Sequence, residues 1–377
     1  MALVVGLIFG AFIGSFLNVC IHRLPRNESV VKPPSRCYSC GCRVAWYDNI
    51  PVLSFLVLRA RCRWCGSRFG VRYLISEVAV GALTGTVCMY VFSGAAMTAP
   101  WLAEAGASVL VQQAAAAAAL LTLGYFLYVS SVIDLDHLII PDELTKSFQL
   151  IAPLIAVVCG SALTFGWDAR DWLWWTDIMR DRHRDVARFA VWTFSITSGT
   201  LAVLLLSLPL ARWVYSSFCP QNQRWAEADH RGFRLGVLWF VGASAVHAAL
   251  VAGLLAAGTG WTLSLAAHLA QALLGSLAGW CSLYLVGLAG TVAFRRNAMG
   301  FGDVKFLAPI GAFLGPIGVV YAFFAAAVVG SLVGIPMRLA RRQREIPFGP
   351  YLAIGAVLAV VFGPTVNRLL FPALGGH

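Results

Sequence analysis

Nine long stretches of this chain carry almost no charge, and that pattern excludes most architectures before any motif is considered. They run at 2–21, 73–97, 109–133, 148–166, 189–211, 235–258, 266–294, 304–337 and 350–371. About 20 apolar residues in a helix cross the hydrocarbon core of a bilayer. A soluble chain could not cover so much apolar surface: 59% of the residues are hydrophobic and only 12% charged, with a mean hydropathy of +0.76. The stretch 304–337 is too long for one crossing, and Gly315-Pro316 divides it into a short helix and a full one. The expected fold is an all-α polytopic membrane protein, a bundle of about ten membrane helices.

The first span could pass for a secretory signal, since Leu3 to Leu17 is apolar. It lacks the basic start of such a signal, and its charge follows instead, at Arg23, Arg26, Lys32 and Arg36. That is the pattern of an uncleaved anchor whose loop stays in the cytoplasm. The loop, 22–72, holds ten Lys or Arg against Glu28 and Asp48, a balance of +8 in a chain whose net charge is +11. Alternating the spans from there puts Asp134 to Lys146, Arg212 to Arg234, Arg295 to Lys305 and Arg338 to Arg344 on the same side. The segment 167–188 is the exception: five Arg balance five Asp, so it can be translocated. Its Trp167, Trp172, Trp174 and Trp175 suit an interfacial belt on the outer face. No internal repeat stands out, and the alanine-rich run Gln112 to Leu120 reads as helix packing.

Within the first loop, Cys37-Tyr38-Ser39-Cys40 and Cys62-Arg63-Trp64-Cys65 form two CxxC pairs 21 residues apart. Each pair offers two thiolates on a tight knuckle, and folding back the ribbon between them surrounds one tetrahedral zinc ion with four sulfurs. Two disulfides are the competing reading, disfavoured by a reducing compartment. A closed four-thiolate site leaves no position for water and is structural. Cys42 is near enough to compete as a ligand, at a poorer spacing. Positive charge on a zinc ribbon invites nucleic acid, but a loop tethered at both ends to membrane spans is held beside anionic headgroups, which account for its charge. No nucleic-acid partner is expected, and nothing specifies an oligomer.

Two carboxylates stand at the ends of apolar runs. Asp134 closes Ser130-Ser131-Val132-Ile133-Asp134, and Asp303 follows the glycines of Gly300-Phe301-Gly302. Ionisable groups at membrane depth are costly and are functional candidates by default. Two carboxylates in one low-dielectric site cannot both ionise easily, so their titrations split. The mixed state has one group to take a proton from water and one to hydrogen-bond a scissile carbonyl. An aspartate-dyad enzyme of the bilayer is the expectation, with Gly300 and Gly302 allowing close approach and conformations that a side chain would block. Asp303 also suits a helix N-cap. Asp142, after Pro141, is read equally as a helix cap and as support for the catalytic loop, and Lys305 joins that support. Glu77 is expected to pair with Arg72, His137 to be structural, and His247 and His268 to form no metal site.

Six motifs in a fixed order then converge on one family. Gly14-Ser15-Phe16-Leu17-Asn18-Val19-Cys20-Ile21-His22-Arg23-Leu24-Pro25, the paired CxxC motifs, Trp46-Tyr47-Asp48-Asn49-Ile50-Pro51 with Arg72-Tyr73, Ile133-Asp134 with Pro141-Asp142, GFGD at 300–303, and Ile346-Pro347-Phe348-Gly349-Pro350-Tyr351 together resemble the prepilin peptidases, or type IV prepilin leader peptidases. The resemblance implies an integral inner-membrane aspartic peptidase that removes the short basic leader of type IV prepilins and pseudopilins after a glycine. It places the catalytic pair at Asp134 and Asp303, with the active site and zinc domain on the cytoplasmic side. Many members also methylate the new amino terminus from S-adenosylmethionine. No GxGxxG after a strand supports that activity independently, so it rests on analogy.

The implied organisation is a first membrane helix at 1–21, a four-cysteine zinc-binding domain at 22–72, membrane helices with the first catalytic aspartate at 73–166, an inserted outer segment with two extra spans at 167–263, and the helices with the GxGD motif at 264–377. The interval between Asp134 and the GxGD is longer than the family normally has, but an even number of added spans leaves both aspartates facing the same side. Two other classes compete: a proton-coupled transporter, which also carries intramembrane carboxylates and interrupted helices, and a membrane-anchored zinc module that assembles partners without catalysis. Neither requires the ordered motif set.

Overall fold

The computed structural model describes residues 1–93, 100–158, 223–257, 260–295, 298–341 and 347–370, with isolated positions between 200 and 217. The Trp-rich segment 167–188 and most of the span expected at 189–211 lie outside the described residues. Among the described residues the α-helices follow in chain order: α1 Ala2–Arg23, α2 Leu53–Val57, α3 Val71–Phe92, α4 Pro100–Glu104, α5 Val109–His137, α6 Asp142–Ala156, α7 Gln223–Ala257, α8 Gly260–Phe294, α9 Phe301–Arg341 and α10 Gly349–Leu370. Six helices among the described residues are long and apolar enough to cross a membrane, and Gly349–Gly363 is a shorter apolar one. The chain is a multi-pass membrane protein. Among the described residues no strand forms; two isolated bridges, Arg36 with Arg43 and Arg61 with Arg68, occur in the loop between α1 and α3.

The chain divides into two compact units. The first comprises Met1–Ala96 and Ala117–Pro141, the second Met97–Ala116 and Asp142–His377. In the first unit, α1 turns Gly6, Gly10 and Gly14, spaced four apart and all buried, against Gly81, Thr84 and Gly85 of α3. A Cβ on Gly6 would lie 2.8 Å from the Cα of Gly85, and one on Gly14 2.9 Å from the Cα of Glu77. Lipid offers no hydrophobic gain for helix pairing, so small residues that let backbones touch supply the attraction through van der Waals contact. Asn18 Nδ2 donates to the Tyr73 carbonyl at 3.2 Å at one end of this pair. The Tyr128 hydroxyl donates to Ser76 Oγ at 2.7 Å and fastens α5 to α3.

The second unit repeats the device. Gly275 and Gly279 of α8 meet the backbone of α9 at Gly311 and Leu307, leaving no room for a side chain, and Gly355 of α10 meets Ala322 and Ala326 of α9. The first part of α9 is the unit's axis, with Phe306, Leu307, Ile310, Phe313 and Leu314 almost wholly buried. Phe313 stacks on Phe148 of α6 with centroids 6.5 Å apart. At Gly315 the helix breaks, with φ 69 and ψ 176, before Pro316, at the division expected from sequence. His247 Nε2 lies 2.8 Å from the Leu150 carbonyl and His268 Nδ1 2.7 Å from the Ser264 carbonyl, so both histidines tie backbone together.

Candidate functional site

Between α1 and α3 the four cysteines Cys37, Cys40, Cys62 and Cys65 converge, all four Sγ atoms lying within 4.8 Å of one another. Sulfurs bound to a tetrahedral zinc at 2.3 Å would be separated by about 3.8 Å. Cys37 Sγ and Cys65 Sγ are 3.8 Å apart. Each pair sits on the same backbone knuckle. The N–H of Gly41 donates to the Cys37 carbonyl and that of Gly66 to the Cys62 carbonyl, both at 2.9 Å. These two glycines have φ of 72 and 69, where a side chain would be strained. A short repeat, Arg-Cys-x-x-Cys-Gly-x-Arg, is therefore present at 36–43 and 61–68. Sequence reasoning missed it, although the matched glycines and arginines around each CxxC carry it.

The repeat also places Cys42, which occupies the position of Ser67 just outside the four sulfurs. Ser67 Oγ lies 3.1 Å from Cys65 Sγ and 3.5 Å from Cys37 Sγ. Hydrogen bonding from Ser67, then from the Cys40 backbone, lowers the Cys37 thiol to about 6, and Ser67 likewise lowers Cys65. Thiolates at this spacing compete for ionisation, and a divalent cation relieves that competition. The cluster can hold a metal. Arg63 braces one knuckle to the turn before α2, its Nε donating to Asp48 Oδ2 at 2.8 Å. That hydrogen bond, with the guanidinium charge, holds the Asp48 carboxyl below its ordinary value.

Asp134 is 5% exposed and lies in the last turn of α5. Leu138 ends that helix in a left-handed conformation, φ 55, with its N–H donating to the Asp134 carbonyl at 2.9 Å. This is a helix C-cap normally made by glycine. The ion pair expected between Glu77 and Arg72 is not formed. Arg72 pairs with Asp136 at 2.6 Å, because both stand at helix ends beside the loop, whereas Glu77 is 9% exposed and accepts the Val52 N–H at 2.8 Å.

In the second unit, Asp303 stands half-buried in the first turn of α9, its N–H donating to the Gly300 carbonyl at 3.2 Å. A Cβ on Gly300 would approach Asp303 Oδ2 to 3.6 Å. Neither Gly300 nor Gly302 has a positive φ, so left-handed freedom is not their use; Gly300 leaves space beside the carboxylate. Lys305, 4% exposed, extends its ammonium to Asp142 Oδ1 at 2.5 Å and lies 4.7 Å from the Phe301 ring centroid. Asp142 opens α6 and also binds Lys146 at 2.7 Å. Burial raises the Asp142 carboxyl, but hydrogen bonds from Lys146 and Lys305 and their charges outweigh it and hold the group below its ordinary value.

Three further residues around this turn were not singled out from sequence. Gln149 Nε2 donates to the Lys305 carbonyl at 3.2 Å. Gly236 of α7 lies so close to Phe301 that a Cβ there would collide with the ring, and Trp280 packs edge-on against Phe301 with centroids 5.9 Å apart. A lone Gln, Gly or Trp in an apolar stretch carries no signal by itself. Their meaning comes from helices distant in the chain.

Fold and site define a multi-pass helical membrane protein with a four-thiol centre between its first two spans and carboxylates at two helix termini. Residues 8–91 match the bacterial peptidase A24 N-terminal domain, and residues 240–335 match the type IV leader peptidase family. A prepilin leader peptidase/N-methyltransferase of Myxococcus xanthus is 39% identical over 41% of this chain and 40% of its own length. Proteins of the same description from Aeromonas hydrophila and Burkholderia pseudomallei are each 26% identical, over 96% and 98% of this chain and 91% and 88% of their own lengths. No solved structure gives a significant match. The two family matches at either end of the chain and the relatives that align along nearly all of it support a prepilin peptidase, an aspartic peptidase.

Proposed function

We propose that the chain removes the basic leader of a type IV prepilin or pseudopilin at the cytoplasmic face of the inner membrane, with Asp134 and Asp303 as the catalytic pair. The observation that carries this reading is the position of both carboxylates at the ends of membrane-length helices, one in the last turn of α5 and one in the first turn of α9. A prepilin's scissile bond lies just before its apolar anchor, so a carboxylate pair at that depth meets it. One carboxylate takes a proton from the attacking water while the other, protonated, hydrogen-bonds the carbonyl oxygen. The ion pair of Lys305 with Asp142 fixes the turn that carries Asp303, and Gly300 keeps the flank of that carboxylate open. A structural zinc ion held by Cys37, Cys40, Cys62 and Cys65 fits the sulfur spacing, and the basic loop around it sets the sidedness.

The relatives' description as N-methyltransferases supports a second activity on the new amino terminus, with S-adenosylmethionine as donor. Cleavage is tested by co-expressing a prepilin with the full chain and weighing the product. Asp134→Asn and Asp303→Asn should each leave the leader attached while the protein remains inserted and keeps its metal. Leader removal at the normal rate by either variant refutes the assignment.

A further inference from the structure

The turn between the two cysteine knuckles reaches further along the helices than the loop around it. Val52, a β-branched residue strained at φ 62, precedes α2, and its N–H donates to Glu77 at 2.8 Å. A Cβ on Gly14 would lie 2.9 Å from the Cα of that same Glu77, so the contact marks one level on both α1 and α3. At 1.5 Å per residue the level lies about 9 Å along α3 from its start at Val71 and about 13.5 Å back along α1 from its end at Arg23. The 22 residues of α3 span about 33 Å, little more than the hydrocarbon core of about 30 Å. The turn at Val52 therefore sits at the boundary between headgroups and acyl chains. A segment at that depth needs its backbone donors satisfied within the chain and an apolar face turned to lipid. Both are present. Val52, Leu53, Ser54 and Leu56, and then Leu58 to Arg61, all donate their N–H groups inside the chain. Leu53, Leu56 and Val57, spaced as one face of α2, are 53, 61 and 67% exposed.

We propose that residues 46–61 form an interfacial anchor, with Leu53, Leu56 and Val57 among the acyl chains of the leaflet where α1 ends and α3 begins. The residues on either side of α2 suit that position. Trp46 and Tyr47, both exposed, occupy the 3-10 turn Trp46–Asn49, and Ser54 Oγ holds this turn against α2 by donating to the Tyr47 carbonyl at 3.2 Å. Arg59 and Arg61, also exposed, follow α2 directly. Aromatic rings with a polar edge settle at the headgroup level, and arginine stems lie along apolar surface while their guanidinium groups reach the phosphates. Charge selects lipid as the occupant. The arginines of one loop repel those of a second copy and match anionic headgroups. The opposite face of α2, with Ser54, Phe55 and Leu58, lines a cavity of about 350 Å³ between the helix ends and the cysteine knuckles. Lipid against the outer face thus holds one wall of that cavity in place.

The test uses the purified full chain with its metal bound, reconstituted in lipid nanodiscs. The cysteines outside the four-thiol centre are replaced by serine, and a nitroxide is attached at Leu56→Cys, an exposed position where a label leaves the packing undisturbed. Collision of the nitroxide with dissolved oxygen, which concentrates among acyl chains, is compared with collision with a water-soluble chromium complex. Oxygen should dominate, placing the label about 5–10 Å below the phosphates. A label that meets the chromium complex freely faces water, and one shielded from both reagents is packed against protein; either result overturns the anchor. The label should also lie deeper in nanodiscs containing phosphatidylglycerol than in phosphatidylcholine alone, and Arg59→Gln with Arg61→Gln should abolish that difference. Equal depth in the two lipids with both arginines present, or a difference that survives their removal, overturns the role given to the arginines.

Discussion

Lys305 shows what a single side chain near the GxGD turn must resolve. Its ammonium is almost wholly buried, and the Asp142 carboxylate with the Phe301 ring offsets the desolvation. Lys305→Met should destabilise the protein by about 1–2 kcal/mol, less than for a fully buried pair, because Asp142 is 40% exposed and has Lys146 as a second partner. Asp142→Asn should act in the same direction, and the double variant should fall short of the sum of the two, read by thermal unfolding in detergent. The pH dependence follows from the sign of the Asp142 shift. A carboxyl held below its unfolded value contributes stability that is complete above an unfolded pKa of about 3.9 and is lost as pH falls through the folded value. Unfolding temperature should therefore lose this contribution below about pH 4 in the wild type, with no such component in Asp142→Asn. Gly300→Ala separates chemistry from fold: its Cβ finds ordinary contact distance, so stability should change by less than about 0.5 kcal/mol while cleavage slows.

At the scale of elements, both units depend on glycines that bring helices into backbone contact. Gly10→Val should prevent α1 from seating against Thr84, and Gly275→Val should separate α8 from Gly311; overpacking of this kind costs about 1–3 kcal/mol or more. Gly315→Ala is a different case, since φ 69 with ψ 176 suits only glycine, and it should cost about 1–3 kcal/mol through backbone strain. Folded yield after detergent extraction, read by size-exclusion chromatography, checks all three. The break at Gly315-Pro316 was legible in sequence because a Gly-Pro pair interrupts a helix wherever it falls. The glycine stripe of α1 was not legible as an interface, since spacing identifies a face but not the helix that will meet it. Glu77 was misassigned for a related reason. Arg72 is near it in sequence, but the strained turn at Val52 claims the carboxylate and Asp136 claims the guanidinium.

For the molecule as a whole, membrane class and the convergence of four thiols were both readable from composition and from the spacing of four cysteines, because each is fixed by local chemistry. Which side chains gather around Phe301 and Lys305, the neighbours of Asp303 in its turn, was not, since Asp142, Gln149, Gly236 and Trp280 come from helices far apart in the chain. The four-thiol reading carries a stoichiometry: one zinc per chain, with Cys37→Ser or Cys65→Ser lowering metal content and protein abundance. Full zinc retention by either variant would contradict it. The central claim is that Asp134 and Asp303 reach the same water molecule. Its most direct test is thiol cross-linking of a chain carrying Asp134→Cys and Asp303→Cys in native membranes, after replacement of the cysteines outside the four-thiol centre. A short bifunctional thiol reagent should join the two positions within one chain. If both thiols react singly yet the short reagent never bridges them, the two carboxylates do not share a site and the account fails.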